Sequence, residues 1–351
     1  MEAVRDPIPD DSSYQRHMLP RVSRTFALTV PQLPRPLDTM VGNAYLLCRV
    51  ADTVEDDPEL DAGDKRALHG LLMDAMESGA AAQRFARQAG TTLAPATPPD
   101  ERDLALNLPR VARTTRALPR SDRQAIGRCL QRMCSGMDSF DERREPGTRD
   151  LADLQRYCHY VAGVVGEMLT ELFCNHGTGM APRRTEMRRY AESFGQGLQM
   201  TNILKDVWDD LEHGRCWLPR AEFEQAGYDF ARLAPEHDRA VFNRVMTGLV
   251  ALAHGQLRNA LRYTEQIPTA EPGMRRFCLL SIGLALLTLK RIHDTPGYAT
   301  GSEVKVSRRA VSAVLASARV AARFESGPAT LVELWSRGLP LHSVAPSEVR
   351  A

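Results

Sequence analysis

Four aspartates stand in two pairs whose spacing suits divalent-metal chemistry: Asp52 and Asp56 in ADTVEDD, and Asp206 and Asp210 in NILKDVWDD. Residues four apart lie one above the other on a helix, so each pair shares a face. Bare carboxylates held that close repel one another. Mg²⁺ relieves the repulsion, because it takes hard oxygen ligands and binds through one or two carboxylates together with substrate phosphates and waters. The spacing by itself is a common accident: with 44 acidic residues in 351, chance supplies roughly five acidic pairs at i, i+4, most of them on solvated helix faces. The neighbours add weight. At 100° per residue, Tyr45, Arg49, Asp52 and Asp56 fall within about 60° of one another, with Leu46, Leu47, Val50 and Val54 on the other side. In the second stretch Gln199, Asn202, Asp206 and Asp210 fall within about 80°, flanked by Met200, Leu204, Val207 and Leu211. Two amphipathic surface helices would show the same periodicity.

Helices must position these residues. Apolar side chains recur at three- and four-residue spacing through 37–56, 151–173, 187–211, 241–267 and 274–292, and no alternating strand of useful length interrupts them. The predicted fold class is all-α. Breaks fall at 31–36, 91–103, 146–147, 177–182 and 295–302. None reads as a flexible linker, so a single domain over 1–351 is expected, with loose ends at about 1–15 and 341–351. Gly163 and Gly166 lie inside a helical pattern, where glycine costs stability, and imply close approach of another helix or of a ligand chain.

Composition narrows the function classes. A 43% hydrophobic chain can bury a substantial core, and a net charge of +1 without a basic stripe gives no footprint for nucleic acid. The seven cysteines are odd in number and form no C-x-x-C pair, so neither a disulfide framework nor a zinc site is indicated, and those inside helices read as small apolar fillers. With no basic, apolar leader at the N-terminus, a reducing cytoplasm is the expected location. The longest apolar stretch, 277–289, falls short of the ~20 residues that cross a bilayer and predicts a buried helix. No G-x-G-x-x-G follows a strand, so any dinucleotide site is not of the Rossmann kind.

At the level of whole motifs the chain resembles the squalene/phytoene synthase family. The blocks are SRTFAL (23–28), YLLCRVADTVEDD (45–57), YCHYVAGVVGEMLTELF (157–173), GLQMTNILKDVWDD (197–210) and HGRCWLP (213–219), in the family's order and spacing. The resemblance implies an all-α isoprenoid-synthase fold: a helical bundle around a central cavity, the two aspartate helices facing each other across its mouth. It implies Mg²⁺ held by Asp52, Asp56, Asp206 and Asp210, with Asn202 as an amide contact one turn before Asp206. Arg24, Arg49 and Arg215 resemble diphosphate contacts, a role that suits the guanidinium fork. Phe26 resembles a pocket aromatic able to stabilise a carbocation, with Ser23 beside it. A helix cap at Ser23 with Phe26 in the core is the competing reading, as a loop exposed to solvent is for Arg215 and a structural hydrogen bond for Asn202. Tyr45, Gln199, Val161, Val165 and Gly166 complete the substrate-binding set, and Tyr157 resembles the tyrosine that handles the proton in the cyclopropane-forming step, against a buried structural tyrosine. His159 projects about 160° from Tyr157 around an ideal helix and reads as packing or surface.

Further blocks resemble the squalene-forming branch: Tyr160, FCLLSIGLAL (277–286) and VKVSRRAV (304–311). They imply an NADPH site at Phe277, Cys278, Lys305, Arg308 and Arg309, whose positive charges would match the cofactor's extra phosphate. Where the pattern has a second basic residue two positions after the lysine, this chain has Ser307, and the charge is displaced to Arg308 and Arg309. The implied reaction joins two farnesyl diphosphates head to head through presqualene diphosphate to squalene. Alternatives are relatives that stop at presqualene diphosphate or form dehydrosqualene or phytoene, and a non-catalytic helical scaffold of the same fold. A monomer in the cytoplasm, with peripheral membrane contact for release of an apolar product, is expected.

Overall fold

The computed structural model describes residues 10–141 and 147–347. Among them no strand forms; the only ladder-like pairing is an isolated bridge between Thr148 and Pro219. The chain divides into two compact units, the first ending at Glu142 and the second beginning at Arg143.

The first unit holds α1 (Asp11–Val22), α2 (Phe26–Thr29), α3 (Leu37–Glu55), α4 (Ala62–Ala75), α5 (Gly79–Thr92), α6 (Pro99–Leu106), α7 (Leu108–Arg116) and α8 (Arg120–Asp141). Side-chain caps start several of them: Asp61 accepts the Gly63 and Asp64 N–H groups, and Ser78 that of Ala81. At the centre lies α3, against α1, α6, α7 and α8. Leu46, Leu47, Val50 and Val54, the residues opposite its acidic face, are completely buried. Each contributes about 1.5–3 kcal/mol by leaving water. The Asn43 amide within this core is satisfied: its Nδ2 donates to Val111 O at 3.0 Å and its Oδ1 accepts from Thr115 at 2.8 Å. Asp57, the last acid of ADTVEDD, ends the helix. Its buried carboxylate accepts the Glu59, Leu60 and Ala94 N–H groups and the Thr97 hydroxyl, so it is spent on the turn that fixes where Asp52 and Asp56 stand.

The second unit holds α9 (Leu151–Cys158), α10 (Val164–His176), α11 (Arg184–Glu212), α12 (Arg220–Gln225), α13 (Arg239–Glu265), α14 (Pro272–Asp294), α15 (Arg308–Ala321) and α16 (Gly327–Trp335). Here α11 is the spine, packed on α9, α10, α13 and α14. The stretch 151–173, expected as one helix, is two helices joined by a π-helical turn at His159–Gly163. The insertion is one residue within one turn, too small a break for three- and four-residue spacing to reveal. The turn brings main chains together. A Cβ on Gly166 would stand 1.9 Å from Ala191 O, and one on Gly195 2.0 Å from Ala162 O. The close neighbour implied by Gly166 is therefore α11.

The apolar run at 277–289 lies within α14, which is long and apolar enough to cross a membrane by length and composition, although 72% of its most apolar window is buried inside the protein. Of the ends expected to be loose, residues 1–9 and 348–351 lie outside the described residues. Within the described chain, Gln15 Nε2 donates to Thr114 Oγ1 at 2.7 Å. At the other end His342 N–H donates to Ala251 O at 3.0 Å and Ser347 N–H to Arg189 O at 3.0 Å.

Candidate active site

In the first unit α3 gathers five of the residues named from sequence. The Ser23 hydroxyl accepts the Phe26 N–H at 3.0 Å, starting α2 and setting the Phe26 ring 4.7 Å from that of Tyr45, tilted by 33°. The Tyr45 hydroxyl donates to Val22 O at 3.1 Å and accepts from Arg49 Nη2 at 3.4 Å. On its other side Arg49 Nη1 lies 3.8 Å from Glu101 Oε1 of α6, and Thr53 Oγ1 donates to Glu101 Oε2 at 3.2 Å. Burial works against the Arg49 charge, but Asp52, Tyr45 and Glu101 more than offset it, and its pKa is raised. Burial also pushes the Asp52 carboxyl up to about 6; Arg49 and His69 pull it down, and Glu101 adds to the rise. Asp56, just past the helix end, is exposed, as is Arg24.

Sequence reasoning missed two groups here. Glu101 sits in what reads as a loop and only the fold brings it to Arg49. His69 is buried between α4, α8 and α3, its Nδ1 2.8 Å from Asp138 Oδ1 and its Nε2 3.4 Å from Ala51 O; its lone position in an apolar stretch carries no signal of a partner on α8.

In the second unit α11 presents Gln199, Asn202, Asp206 and Asp210 along one side, joined by Asp209 and Lys205. Lys205 Nζ lies 3.0 Å from Asp206 Oδ2. Burial pushes Asp210 up to about 6, with Asp206 and Asp209 adding to the rise. Burial also raises Asp206, against the pull of Lys205. Asn202 is exposed and Gln199 half-buried. Beyond the helix, Gly214 takes φ +73° and the Arg215 N–H donates to Asp210 O at 2.9 Å, so the HGRCWLP turn is fastened directly behind Asp210. It also delivers Trp217, whose ring stacks on that of buried Tyr157 at 3.7 Å and 12°. Val161 and Val165 are half-buried beside the π turn. His159 Nδ1 lies 2.8 Å from Glu192 Oε1.

Among the described residues no three His, Cys, Asp or Glu side chains are gathered closely enough to make a complete ion site by themselves. The donors nonetheless fit Mg²⁺: they are hard carboxylates, partly desolvated at Asp52, Asp206 and Asp210 and crowded on α11, and the ion's remaining positions would go to phosphate oxygens and water. For a dinucleotide phosphate, Lys305, Arg308 and Arg309 are exposed, the two arginines in the first turn of α15 after its Ser307 cap. Cations there oppose the helix dipole, a cost that a bound anion reverses. Phe277 and Cys278 are buried in α14, Phe277 edge-on to Phe173 at 6.1 Å.

The family model for squalene/phytoene synthase matches residues 19–312, which include every block described above. The chain belongs to this family. Squalene synthase BSS of Botryococcus braunii is 29% identical over 309 residues, covering 86% of this chain and 63% of that protein, so the chain spans less than two thirds of that relative's length. Among solved structures, TcSQS in complex with the ligand BPH1237 superposes with a TM-score of 0.71 at 24% identity, covering 94% of this chain and 98% of the other. A dehydrosqualene synthase in complex with ligand gives 0.65 at 20% identity, covering 88% and 95%. These likenesses establish the all-α isoprenoid-synthase fold. Of the family-pattern residues, the structure brings Ser23, Phe26, Tyr45, Arg49 and Asp52 into one constellation. Another assembles around Asp206, Asp210 and Arg215, and Tyr157 stands with Trp217 from the same turn.

Proposed function

We propose that this member of the squalene/phytoene synthase family joins two farnesyl diphosphates head to head, through presqualene diphosphate, and reduces the product to squalene with NADPH. The observation that carries the reading is the run Phe26, Tyr45, Arg49 and Asp52, which sets an aromatic pair, a guanidinium and a half-buried carboxylate side by side. That combination suits an allylic diphosphate: oxygen and cation for the head group, π faces for the positive carbon left behind. The carboxylates of α3 and those of α11 serve the same reaction in this reading, and the two units act as one catalytic domain.

Bound Mg²⁺, held by Asp52, Asp56, Asp206 and Asp210 with Asn202 beside them, supplies charge neutralisation for the departing diphosphate. Arg49, fixed by Tyr45 and Glu101, holds the head group, with Arg24 and Arg215 as further contacts, so that C1 of one substrate ionises and bonds to the double bond of the other. Loss of a proton from that same carbon closes the cyclopropane, and Tyr157, stacked on Trp217, is the candidate acceptor. Phe26, Val161 and Val165 line the apolar chain and exclude water. For the second stage NADPH supplies the reducing equivalents, its phosphates matched by Lys305, Arg308 and Arg309. The reaction takes place in the cytoplasm, with peripheral membrane contact as the apolar product leaves.

One observation favours a second reading, in which the enzyme stops before reduction. Ser307 is used as the cap of α15, its Oγ accepting the Ala310 N–H at 3.2 Å, where a second cation would otherwise stand. Purified protein with Mg²⁺ and farnesyl diphosphate, with and without NADPH, separates the two. Squalene formed only with NADPH supports the first; presqualene diphosphate or dehydrosqualene regardless of NADPH supports the second. Geranylgeranyl diphosphate run in parallel tests chain length, and no product from either substrate points to a scaffold.

A further inference from the structure

The connector between α14 and α15 docks on α11 at the turn that carries the aspartates. Tyr298, buried, donates its hydroxyl to Leu204 O. Its own pKa is raised by burial and by the nearby Asp206 and Asp209. Three residues on, the Gly301 N–H donates to Asp209 Oδ1 at 3.4 Å. The approach is so close that a Cβ on Gly301 would stand 2.7 Å from Asp206 Oδ1, 2.8 Å from Asp209 Oδ2 and 3.2 Å from Lys205 O. Gly301 keeps an ordinary negative φ, so backbone freedom does not explain a glycine here; room does. Around it the connector is braced by its own bonds: Thr300 Oγ1 donates to Glu303 Oε1 at 3.1 Å, and Arg291 donates to Glu303 O at 3.1 Å.

We infer that Gly301 is a positioning residue for the Asp206 carboxylate and that Asp209 is the anchor of the connector rather than a metal ligand. The inference rests on reading Asp206 as a ligand of the metal diphosphate. Asp209 takes the Gly301 N–H and holds the connector down. The bare Cα of Gly301 then forms a wall against which Asp206 rests in one orientation, with Lys205 on its other oxygen. A third carboxylate in NILKDVWDD thereby has a task that leaves Asp206 and Asp210 to the ion. Groups that orient a metal's ligands typically change its affinity by about 10–100-fold when removed.

The test is Mn²⁺ binding in the presence of inorganic diphosphate, followed by electron paramagnetic resonance on the full-length protein, with thermal melting alongside. Asp209→Asn keeps an amide oxygen to accept the Gly301 N–H and should hold Mn²⁺ within about threefold of wild type. Asp209→Ala loses the anchor, Gly301→Ala crowds Asp206, and both should weaken Mn²⁺ by about tenfold or more. If Gly301→Ala does not fold, the two Asp209 variants decide. Asp209→Asn losing Mn²⁺ as fully as Asp206→Asn makes Asp209 a ligand and overturns the inference. So does wild-type affinity in Asp209→Ala or Gly301→Ala. An Asp206→Asn protein that binds like wild type fails the underlying reading of Asp206 instead.

Discussion

The acidic turns of α3 and α11 solve the same electrostatic problem in opposite ways. On α3 the Asp52 carboxyl, pushed up by burial, has fixed groups of the protein that pull it back down, Arg49 one turn away and His69 behind it, and Arg49 is in turn held by Tyr45 and Glu101. On α11 three carboxylates crowd one turn, with a single lysine against Asp206. The first turn is organised before anything binds and offers a fixed cation to an anionic head group. The second carries repulsion that a divalent cation would remove. In the proposed function both carboxylate pairs hold the metal, and the α3 turn adds a fixed guanidinium for the anionic head group.

The comparison is broken most readily at Arg49. If the α3 turn holds the head group, Arg49→Ala should lower kcat/KM by about 10²-fold, near 2.7 kcal/mol, mostly through KM, while Arg49→Lys recovers part of it. A change of kcat alone in steady-state kinetics would contradict this. Next in size is the seating of α11. Gly166→Ala forces a methyl group onto Ala191 O and should cost about 1–3 kcal/mol in urea unfolding. Gly127→Ala, in α8 with nothing near its Cβ, should be neutral or stabilising by up to about 1 kcal/mol. Behind Asp210, Arg215→Ala should raise KM by about tenfold, or 1.4 kcal/mol, because the turn keeps its backbone bond to Asp210 O and only the side chain is lost.

The smallest effect is on stability. Asp210 has its carboxyl raised to about 6 from 3.8, so the folded protein holds this proton more tightly than the unfolded chain. Stability from that source is complete below about pH 3.8 and is lost as pH rises through 6. Asp210→Asn should therefore raise the Tm of the metal-free protein at pH 7.5 by about 1–3 °C, and the difference from wild type should close towards pH 4 in calorimetry. A lower Tm at pH 7.5 would mean that the carboxylates of α11 do not repel.

Much of this was legible in the residues. The all-α class follows from periodicity, and the 3.6-residue repeat places Tyr45, Arg49 and Asp52 on one side of α3 before any coordinate is known. What the repeat cannot give is partners from distant segments. Glu101 comes to Arg49 from 52 residues on, in a stretch whose prolines read as loop. Tyr298 and Gly301 reach α11 from more than 90 residues away. The π turn at His159–Gly163 escapes for another reason, since a single extra residue changes direction without changing composition. Asp57 shows the same limit for acids: it stands beside Asp56 in ADTVEDD, and only its hydrogen bonds mark it as structural.

The most direct test is diphosphate release from farnesyl diphosphate as a function of Mg²⁺, in wild type and with each acidic pair neutralised separately, as Asp52→Asn with Asp56→Asn and as Asp206→Asn with Asp210→Asn. Release should depend on Mg²⁺ and fall by about 10³-fold or more in both double variants. Release without the metal, or either variant working within tenfold of wild type, would contradict the claim that both carboxylate pairs serve one reaction.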